Sequence, residues 1–177
     1  MQIPETYVSS ILIILPHHLQ ARLIPLMQQL APDTMRNFTA HITVLYPFVS
    51  IDQLDPACET LKALLVNTPP FEVTLHQFTR HDTVIFMYPT ETAPIRRIRQ
   101  RIMEAFPAIT PYNGAFGLDP EPHVTVAKFE TSDAQLGVAL PEFQPVTFKV
   151  DRLHVNSGLP GSVLPWITHD VILLRGN

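Results

Sequence analysis

The sequence has little of what marks a secreted or membrane-spanning protein. Cys58 is the only cysteine among 177 residues, which excludes an internal disulfide and fits a reducing compartment. No stretch approaches the roughly 20 apolar residues that cross a bilayer, and the apolar run at residues 8–15 contains two serines. The N-terminus shows no basic targeting segment. These absences predict a cytoplasmic chain with no membrane partner.

Positive charge and glycine are also scarce. The formal net charge is −4, which argues against coating nucleic acid through bulk charge but allows one locally positive site for a small anion. The sequence has only 6 glycines but 18 prolines, which indicates short secondary-structure elements with well-defined ends. A hydrophobic content of 46% excludes a disordered chain. The length suits one domain covering residues 1–177.

What is present is an alternation of β-rich and helical segments. Strands are predicted at residues 7–15, 40–46, 71–78, 83–88, 123–129, 146–155 and 163–174. Helices are predicted at 18–30, 52–66, 92–105 and 131–140. Segments 41–88 and 123–174 share one order, in which a His-x-Thr strand is followed by a helix and two strands. This weak duplication predicts two pseudo-symmetric lobes within the single domain.

Two His-x-Thr motifs carry the candidate chemistry. Because side chains alternate along a strand, His41 and Thr43 share one face, and so do His123 and Thr125. A histidine, with an ordinary pKa of about 6.5, can serve as acid or base near neutral pH, and opening a phosphodiester needs one of each. Threonine hydroxyls can bind the nonbridging phosphate oxygens. Lys128 adds a positive charge at the rim of such a site.

A purely structural interpretation treats His41 and His123 as edge residues with ordinary hydrogen bonds. The His-x-Thr motif occurs twice, each time at the start of a predicted strand in one of the two similar segments. This repetition favours a functional pair of histidines. No metal-ligand spacing such as His-Glu-x-x-His occurs among the remaining histidines, His17, His18, His76, His81, His154 and His169. The chain also has no glycine-rich phosphate loop and no evident serine or cysteine nucleophile motif. The sequence therefore predicts no metal and no cofactor.

The two motifs resemble those of the two-histidine (2H) phosphoesterase superfamily, in the group often called 2'-5' RNA ligase-like. The stretches that carry the resemblance are HITVLYPF at 41–48 and HVTVAKF at 123–129. The strand pair at 71–89 and the closing strand with Trp166 extend it over nearly the whole chain. One departure is Tyr46-Pro47-Phe48, where many members have Phe-Leu-Gly, and it points to another branch of the superfamily.

The resemblance implies an α+β, bilobal fold in which two antiparallel sheets form a central cleft and the helices lie outside. It assigns His41 and His123 as catalytic residues, with His123 as the base and His41 as the acid. It assigns Thr43 and Thr125 to phosphate binding. Members hydrolyse 2',3'-cyclic phosphates or related 2'-5' linkages, and some join RNA ends reversibly.

Other residues have two interpretations each. Tyr46, Phe48 and Phe116 can stack on a nucleobase or belong to the core. The arginines of the helix at 92–105 form either a strip that faces RNA or a solvated helix face: Arg96, Arg97, Arg99 and Arg101.

The function predicted from the sequence is a metal-independent hydrolase in RNA processing. Its substrate is an RNA end or small nucleotide with a 2',3'-cyclic phosphate, or a 2'-5' linkage, and reversible RNA ligation is a further predicted activity. The alternative is a non-catalytic module that binds RNA ends or nucleotides.

Overall fold

Eight strands and three α-helices make up most of the described chain, which covers residues 7–30, 39–162 and 164–176 of this computed structural model. The strands are β1 (Val8–Ile14), β2 (His41–Leu45), β3 (Phe71–His81), β4 (Val84–Pro89), β5 (Val124–Lys128), β6 (Val146–Val150), β7 (Arg152–Gly158) and β8 (Ile167–Leu173). The helices are α1 (His17–Leu30), α2 (Leu54–Leu65) and α3 (Ala93–Ala105).

The strands form one strongly curled antiparallel sheet in the order β6-β3-β4-β5-β2-β1-β7-β8. Its two four-stranded halves meet at β5 and β2, where Ile42 is the registered partner of Val124. The predicted α+β fold is confirmed, and the two predicted sheets are joined edge to edge through this pair.

One hydrophobic core lies between the sheet and the helices. The central residues of the two motifs, Ile42 and Val124, are fully buried in it. Each helix supplies leucines or isoleucines at helical spacing, and burying one such side chain stabilises the fold by about 1.5–3 kcal/mol. The opposite surface of the sheet, here called the open face, carries the other side chains of each strand.

The helices connect the two halves of the sheet. Helix α1 follows β1 in one half but packs against β5 of the other, and α3 leads to β5 but packs against β2. Helix α2 packs against β8. Among the described residues, no helix combines the length and the apolar character that crossing a bilayer requires.

Two predicted elements differ from the structure. The helix at 131–140 is wrong, since only a 3-10 turn forms at Ser132–Gln135. Val138 and Leu140 pack against the core, but Leu136 is 73% exposed, so these residues do not form the buried apolar stripe that a short helix needs. The strand at 146–155 is two strands, because β6 pairs with β3 whereas β7 pairs with β1 in the other half.

The duplication has different boundaries from those predicted. The matching units are β1-α1-β2 and β4-α3-β5, so the helix precedes the His-x-Thr strand in each unit and does not follow it. Only the two His-x-Thr strands keep the predicted alignment, because β4 matches β1 and not β8, and the wrong helix was counted with each motif. That the chain is one domain of two pseudo-symmetric lobes stays a prediction.

Candidate active site

The two His-x-Thr motifs lie side by side where the halves of the sheet meet. Their central residues, Ile42 and Val124, are registered partners that point into the core. Continuing the antiparallel register by one residue places each histidine opposite the threonine of the other motif, on the open face. His41 and His123 are then diagonal neighbours, which typically lie roughly 7–8 Å apart. All four outward residues are half-buried: His41, Thr43, His123 and Thr125.

Both imidazoles are held in the same way. Nδ1 of His41 lies 2.7 Å from the Thr39 carbonyl oxygen, and Nδ1 of His123 lies 2.8 Å from the Glu121 carbonyl oxygen. A carbonyl only accepts hydrogen bonds, so Nδ1 carries the hydrogen in each ring. The second nitrogen, Nε2, is therefore the position at which either ring exchanges a proton with a ligand.

Burial lowers the pKa of both histidines from the ordinary value. For His41 the hydrogen bond to Thr39 opposes this effect, and the charge of His123 lowers the pKa further. For His123 the hydrogen bond to the Glu121 carbonyl opposes burial, and the positive charge of Arg99 lowers the pKa. Both rings therefore favour the neutral form until an anion enters, because a bound phosphate stabilises the protonated form.

Arg99 joins the backbone next to both motifs. Its side chain is almost fully buried, and Nε donates to the carbonyl of Val44 at 2.7 Å. Nη1 donates to the Pro120 carbonyl at 2.6 Å and to the Asp119 carboxylate at 2.9 Å. One guanidinium on α3 thus fixes the end of β2 relative to the loop that leads to His123.

Arg96, one helical turn before Arg99, also binds the loop that leads to His123. It forms ion pairs with the carboxylates of Asp119 and Glu121. The carbonyl of Glu121 accepts the hydrogen bond from His123. The orientation of this imidazole therefore depends on α3 through the acidic loop at 119–121.

A cavity of about 240 Å³ opens beside the first motif. Thr43 shares a side-chain hydrogen bond with Tyr112, whose backbone nitrogen donates to the Tyr46 carbonyl at 2.5 Å. Tyr112 has a φ of 50°, a left-handed conformation that is uncommon for a residue with a side chain. The residues around the cavity include Ser10, His41, Thr43, Tyr46, Tyr112 and Trp166.

The sequence model of the 2'-5' RNA ligase superfamily matches residues 15–158. The chain belongs to this superfamily. The family predicted from the two motifs is thereby confirmed. No curated protein sequence matches the chain significantly.

Solved structures with the same fold include Escherichia coli LigT complexed with 3'-AMP, at 16% identity and a TM-score of 0.67, covering 96% of this chain and 99% of LigT. The protein TT0787 of Thermus thermophilus is similar at 17% identity and a TM-score of 0.63, with 96% and 98% covered. A protein described as a phosphoesterase has 16% identity and a TM-score of 0.66, with 97% and 99% covered. At these identities the likeness shows the fold. Membership of the 2'-5' RNA ligase superfamily supports a phosphoesterase or RNA ligase-like activity.

The three residues predicted to bind substrate lie in different surroundings. Tyr46 lines the cavity beside His41. Phe48 is 5% exposed and packs edge-on against Phe106 at 5.0 Å, so its assignment to substrate binding is wrong. Lys128 is exposed at the end of β5, where it pairs with Val84. Its predicted role at the rim stays a prediction.

The arginines of α3 form, as a group, neither of the two predicted surfaces, an RNA-facing strip or a solvated helix face. Arg99 is buried and Arg96 is ion-paired with the loop at 119–121, whereas Arg101 donates to Thr68 and to the Leu64 carbonyl. Arg97 is exposed on the same helix. Most of these cations therefore bind the protein itself and do not form an RNA-facing surface.

Sequence reasoning missed three residues of the site: Arg99, Tyr112 and Trp166. Asn113-Gly114, a pair typical of turns, follows Tyr112 in the sequence, but nothing in the pattern indicates contact with Thr43. Among the described residues, no group of three or more His, Cys, Asp or Glu side chains is arranged to hold a metal ion.

Proposed function

We propose that the chain is a metal-independent phosphoesterase that opens a 2',3'-cyclic phosphate, on a nucleotide or at an RNA end, by acid–base catalysis between His41 and His123. The observation that carries the proposal is the matched pair of imidazoles, each held through Nδ1 by a carbonyl two residues earlier. The register places the two rings as diagonal neighbours on the open face, so a phosphate between them can accept a hydrogen bond from protonated His41 while neutral His123 accepts one from the attacking water.

In the proposed reaction, neutral His123 accepts a proton at Nε2 from a water molecule as the water oxygen attacks phosphorus. The bond between phosphorus and one ribose oxygen breaks, and His41 donates the Nε2 proton to that oxygen. The product is a phosphate monoester with one free ribose hydroxyl. Thr43 and Thr125 donate hydrogen bonds to the nonbridging oxygens, where negative charge develops.

The order of roles rests on the resemblance to the family, since burial lowers the pKa of both histidines. The positive charge of Arg99 contributes to the lowered pKa of His123, and the neutral form is the one that a base requires. The 5'-hydroxyl of a second RNA end, attacking in place of water while the 3'-oxygen leaves, gives a 2'-5' linkage through the same two proton transfers, so ligation needs no further residue.

The ligands of LigT support a nucleotide substrate. LigT has been crystallised with phosphate and with 3'-AMP, a nucleoside whose phosphate sits on one of the two oxygens that a 2',3'-cyclic phosphate joins. We extend nucleotide binding to this chain on the strength of the shared fold. We also propose a cytoplasmic location, which the single cysteine supports.

The test is turnover of adenosine 2',3'-cyclic phosphate by the purified chain in excess chelator, followed by phosphorus NMR. We expect a monoester product and no effect of the chelator, because the scheme uses only proton transfer and hydrogen bonds. Loss of activity in chelator with recovery on adding a divalent ion would contradict the metal-independent scheme. Tight binding without turnover would support the non-catalytic binding module instead.

A further inference from the structure

The side chain of Gln20, in the first turn of α1, binds the backbone just beyond the last registered pair of β1 and β2, Ile14 with His41. Its Nε2 donates to the Leu15 carbonyl at 3.0 Å and to the Ala40 carbonyl at 2.7 Å. Its Oε1 accepts from the backbone nitrogen of Ala40 at 2.8 Å. One half-buried amide therefore forms three hydrogen bonds, and two of them are to the residue directly before His41.

This amide takes the place of a backbone hydrogen bond. Leu15 and Ala40 face each other, and the Leu15 nitrogen donates to the Ala40 carbonyl at 3.1 Å. In an uninterrupted antiparallel pair, the Ala40 nitrogen would donate to the Leu15 carbonyl in return. The Gln20 amide lies between these two groups and bonds each of them. It therefore sets how the chain enters β2 relative to β1.

One of the three bonds fixes the peptide group that orients His41. The peptide group between Thr39 and Ala40 contains the N–H that donates to Gln20. It also contains the carbonyl whose oxygen lies 2.7 Å from Nδ1 of His41. A peptide group is planar, so its N–H and its C=O cannot turn independently. By holding the N–H of Ala40, Gln20 therefore also holds the direction of the Thr39 carbonyl.

The peptide group that orients His123 is held in a different way. Its carbonyl belongs to the bond between Glu121 and Pro122, and proline has no N–H that a side chain could bind. There Arg99 of α3 holds the loop through side-chain and carbonyl contacts. Gln20 lies on α1, the helix in the matching position of the other unit, and it holds the first motif with a neutral amide.

We infer that Gln20 is a positioning residue for the general acid, because it holds the ring of His41, through the Thr39–Ala40 peptide group, with Nε2 toward the leaving oxygen. This inference rests on the proposed function and deepens it, since it gives helix α1 a part in the proton transfer. After His41 has donated the proton from Nε2, the neutral ring keeps its other hydrogen on Nδ1, where the Thr39 carbonyl accepts it. Gln20 acts through this peptide group and not on the substrate.

The test compares two substrates that differ in their need for the acid. The leaving oxygen of adenosine 2',3'-cyclic phosphate must be protonated, whereas p-nitrophenolate leaves without a proton. The ratio of kcat for the cyclic phosphate to kcat for a p-nitrophenyl phosphodiester is here called the acid ratio. Gln20→Met has a similar volume and no hydrogen-bonding amide, so it should lower the acid ratio by about 10- to 100-fold, the effect of misplacing a catalytic group by about 1 Å. KM should change little, because substrate binding is retained.

The nitrogen chemical shifts of the His41 imidazole provide a second readout. In the unsubstituted chain, the neutral ring should carry its hydrogen on Nδ1. In Gln20→Met the population with the hydrogen on Nε2 should rise, because the Thr39 carbonyl is released. The shifts of His123 should not change in this variant, since its acceptor is the carbonyl of Glu121 in the other motif.

Two further variants of α1 serve as controls. Gln28→Met replaces an exposed glutamine of the same helix and should leave the acid ratio and the shifts of His41 unchanged. Leu23→Val shortens a buried side chain of α1, so it should lower the stability and leave the acid ratio unchanged. Gln20→Glu keeps an oxygen that accepts from the Ala40 nitrogen, so it should keep more of the acid ratio than Gln20→Met.

The outcomes separate this inference from the proposed function. A folded Gln20→Met protein with an unchanged acid ratio, or with turnover of both substrates lowered equally, overturns the positioning role, although turnover still supports the phosphoesterase. If Gln20→Met does not fold, Gln20→Asn takes its place, because its amide is retracted by one methylene group, and the same two results overturn the inference. No turnover of the cyclic phosphate by the unsubstituted chain overturns the proposed function and this inference with it.

Discussion

The Nε of Arg99 donates to the carbonyl oxygen of Val44 at 2.7 Å, which links helix α3 to the strand residue directly after Thr43. The same guanidinium bonds Asp119 and Pro120, four and three residues before His123. Its charge lowers the pKa of His123. Arg99 is therefore a positioning residue that affects the site without facing a ligand.

Arg99→Met should lower the free energy of unfolding and shift the pH profile of kcat/KM. Removing the guanidinium leaves the carbonyls of Val44 and Pro120 without their donor, and an unsatisfied buried acceptor costs roughly 1–3 kcal/mol of unfolding free energy, measured by urea denaturation. Losing the positive charge raises the pKa of His123, so the acidic limb of the pH profile of kcat/KM should move to higher pH. Arg99→Lys, which keeps a charge, provides a milder variant if the methionine form does not fold.

Arg97→Met is the matched control for Arg99, since Arg97 is exposed on the same helix. It should leave both the unfolding free energy and the pH profile unchanged. A folded Arg99→Met protein with an unshifted acidic limb would show that Arg99 does not tune His123.

The roles of the two histidines can be separated by the leaving group. His41→Ala and His123→Ala should each lower turnover of the cyclic phosphate by roughly 10²–10⁴-fold, the usual contribution of general acid–base catalysis. A p-nitrophenyl phosphodiester has a leaving group that needs no proton, so it should restore activity to His41→Ala and not to His123→Ala. The control is His76→Ala, an exposed histidine on β3. Equal rescue of both variants would contradict the assignment of His41 as the acid.

Stability should depend on pH through the same two residues. Burial holds the pKa of His41 and of His123 below the ordinary value of about 6.5. At pH values between the folded and the unfolded pKa, the unfolded chain therefore binds more protons than the folded chain. The unfolding free energy should therefore fall as the pH drops through about 6.5 and level off below the folded pKa values.

The measurement is urea denaturation at several pH values for the unsubstituted chain and for His41→Gln/His123→Gln. Glutamine does not titrate, so the double variant should lose less stability on acidification. His154 also has a pKa lowered by burial and contributes equally to both proteins, so the difference between them isolates the pair. Identical pH dependence in the two proteins would show that neither active-site histidine has a lowered pKa.

The sequence predicted the parts of the site that depend on local periodicity. Alternation along a strand was enough to put His41 with Thr43 on one face and to bury Ile42, and the second motif followed the same rule. Tyr46 and Phe48 could not be told apart, because only the fold decides which one meets the cavity and which one meets Phe106.

Residues brought in by long-range contacts could not be predicted. Arg99 looked like one of several surface arginines on a helix, and its burial depends on the loop at 119–121, twenty residues later. Tyr112 lies in a loop without periodicity, and its left-handed backbone is set by tertiary contacts with β2. The predicted helix at 131–140 failed because Leu136 is exposed and the apolar residues of the segment do not share one buried helical face.

One cooperative unfolding transition is expected, which tests the prediction of a single bilobal domain. Helix α1 packs across onto β5 and α3 onto β2, so neither half of the sheet can lose its helix without exposing the core of the other. Trp166 is the sole tryptophan and precedes β8, at one end of the sheet, so its fluorescence reports on one half. Far-ultraviolet circular dichroism reports on both halves, and the two signals should give the same midpoint in urea. A fluorescence midpoint clearly separate from the dichroism midpoint would mean that the halves unfold as separate units.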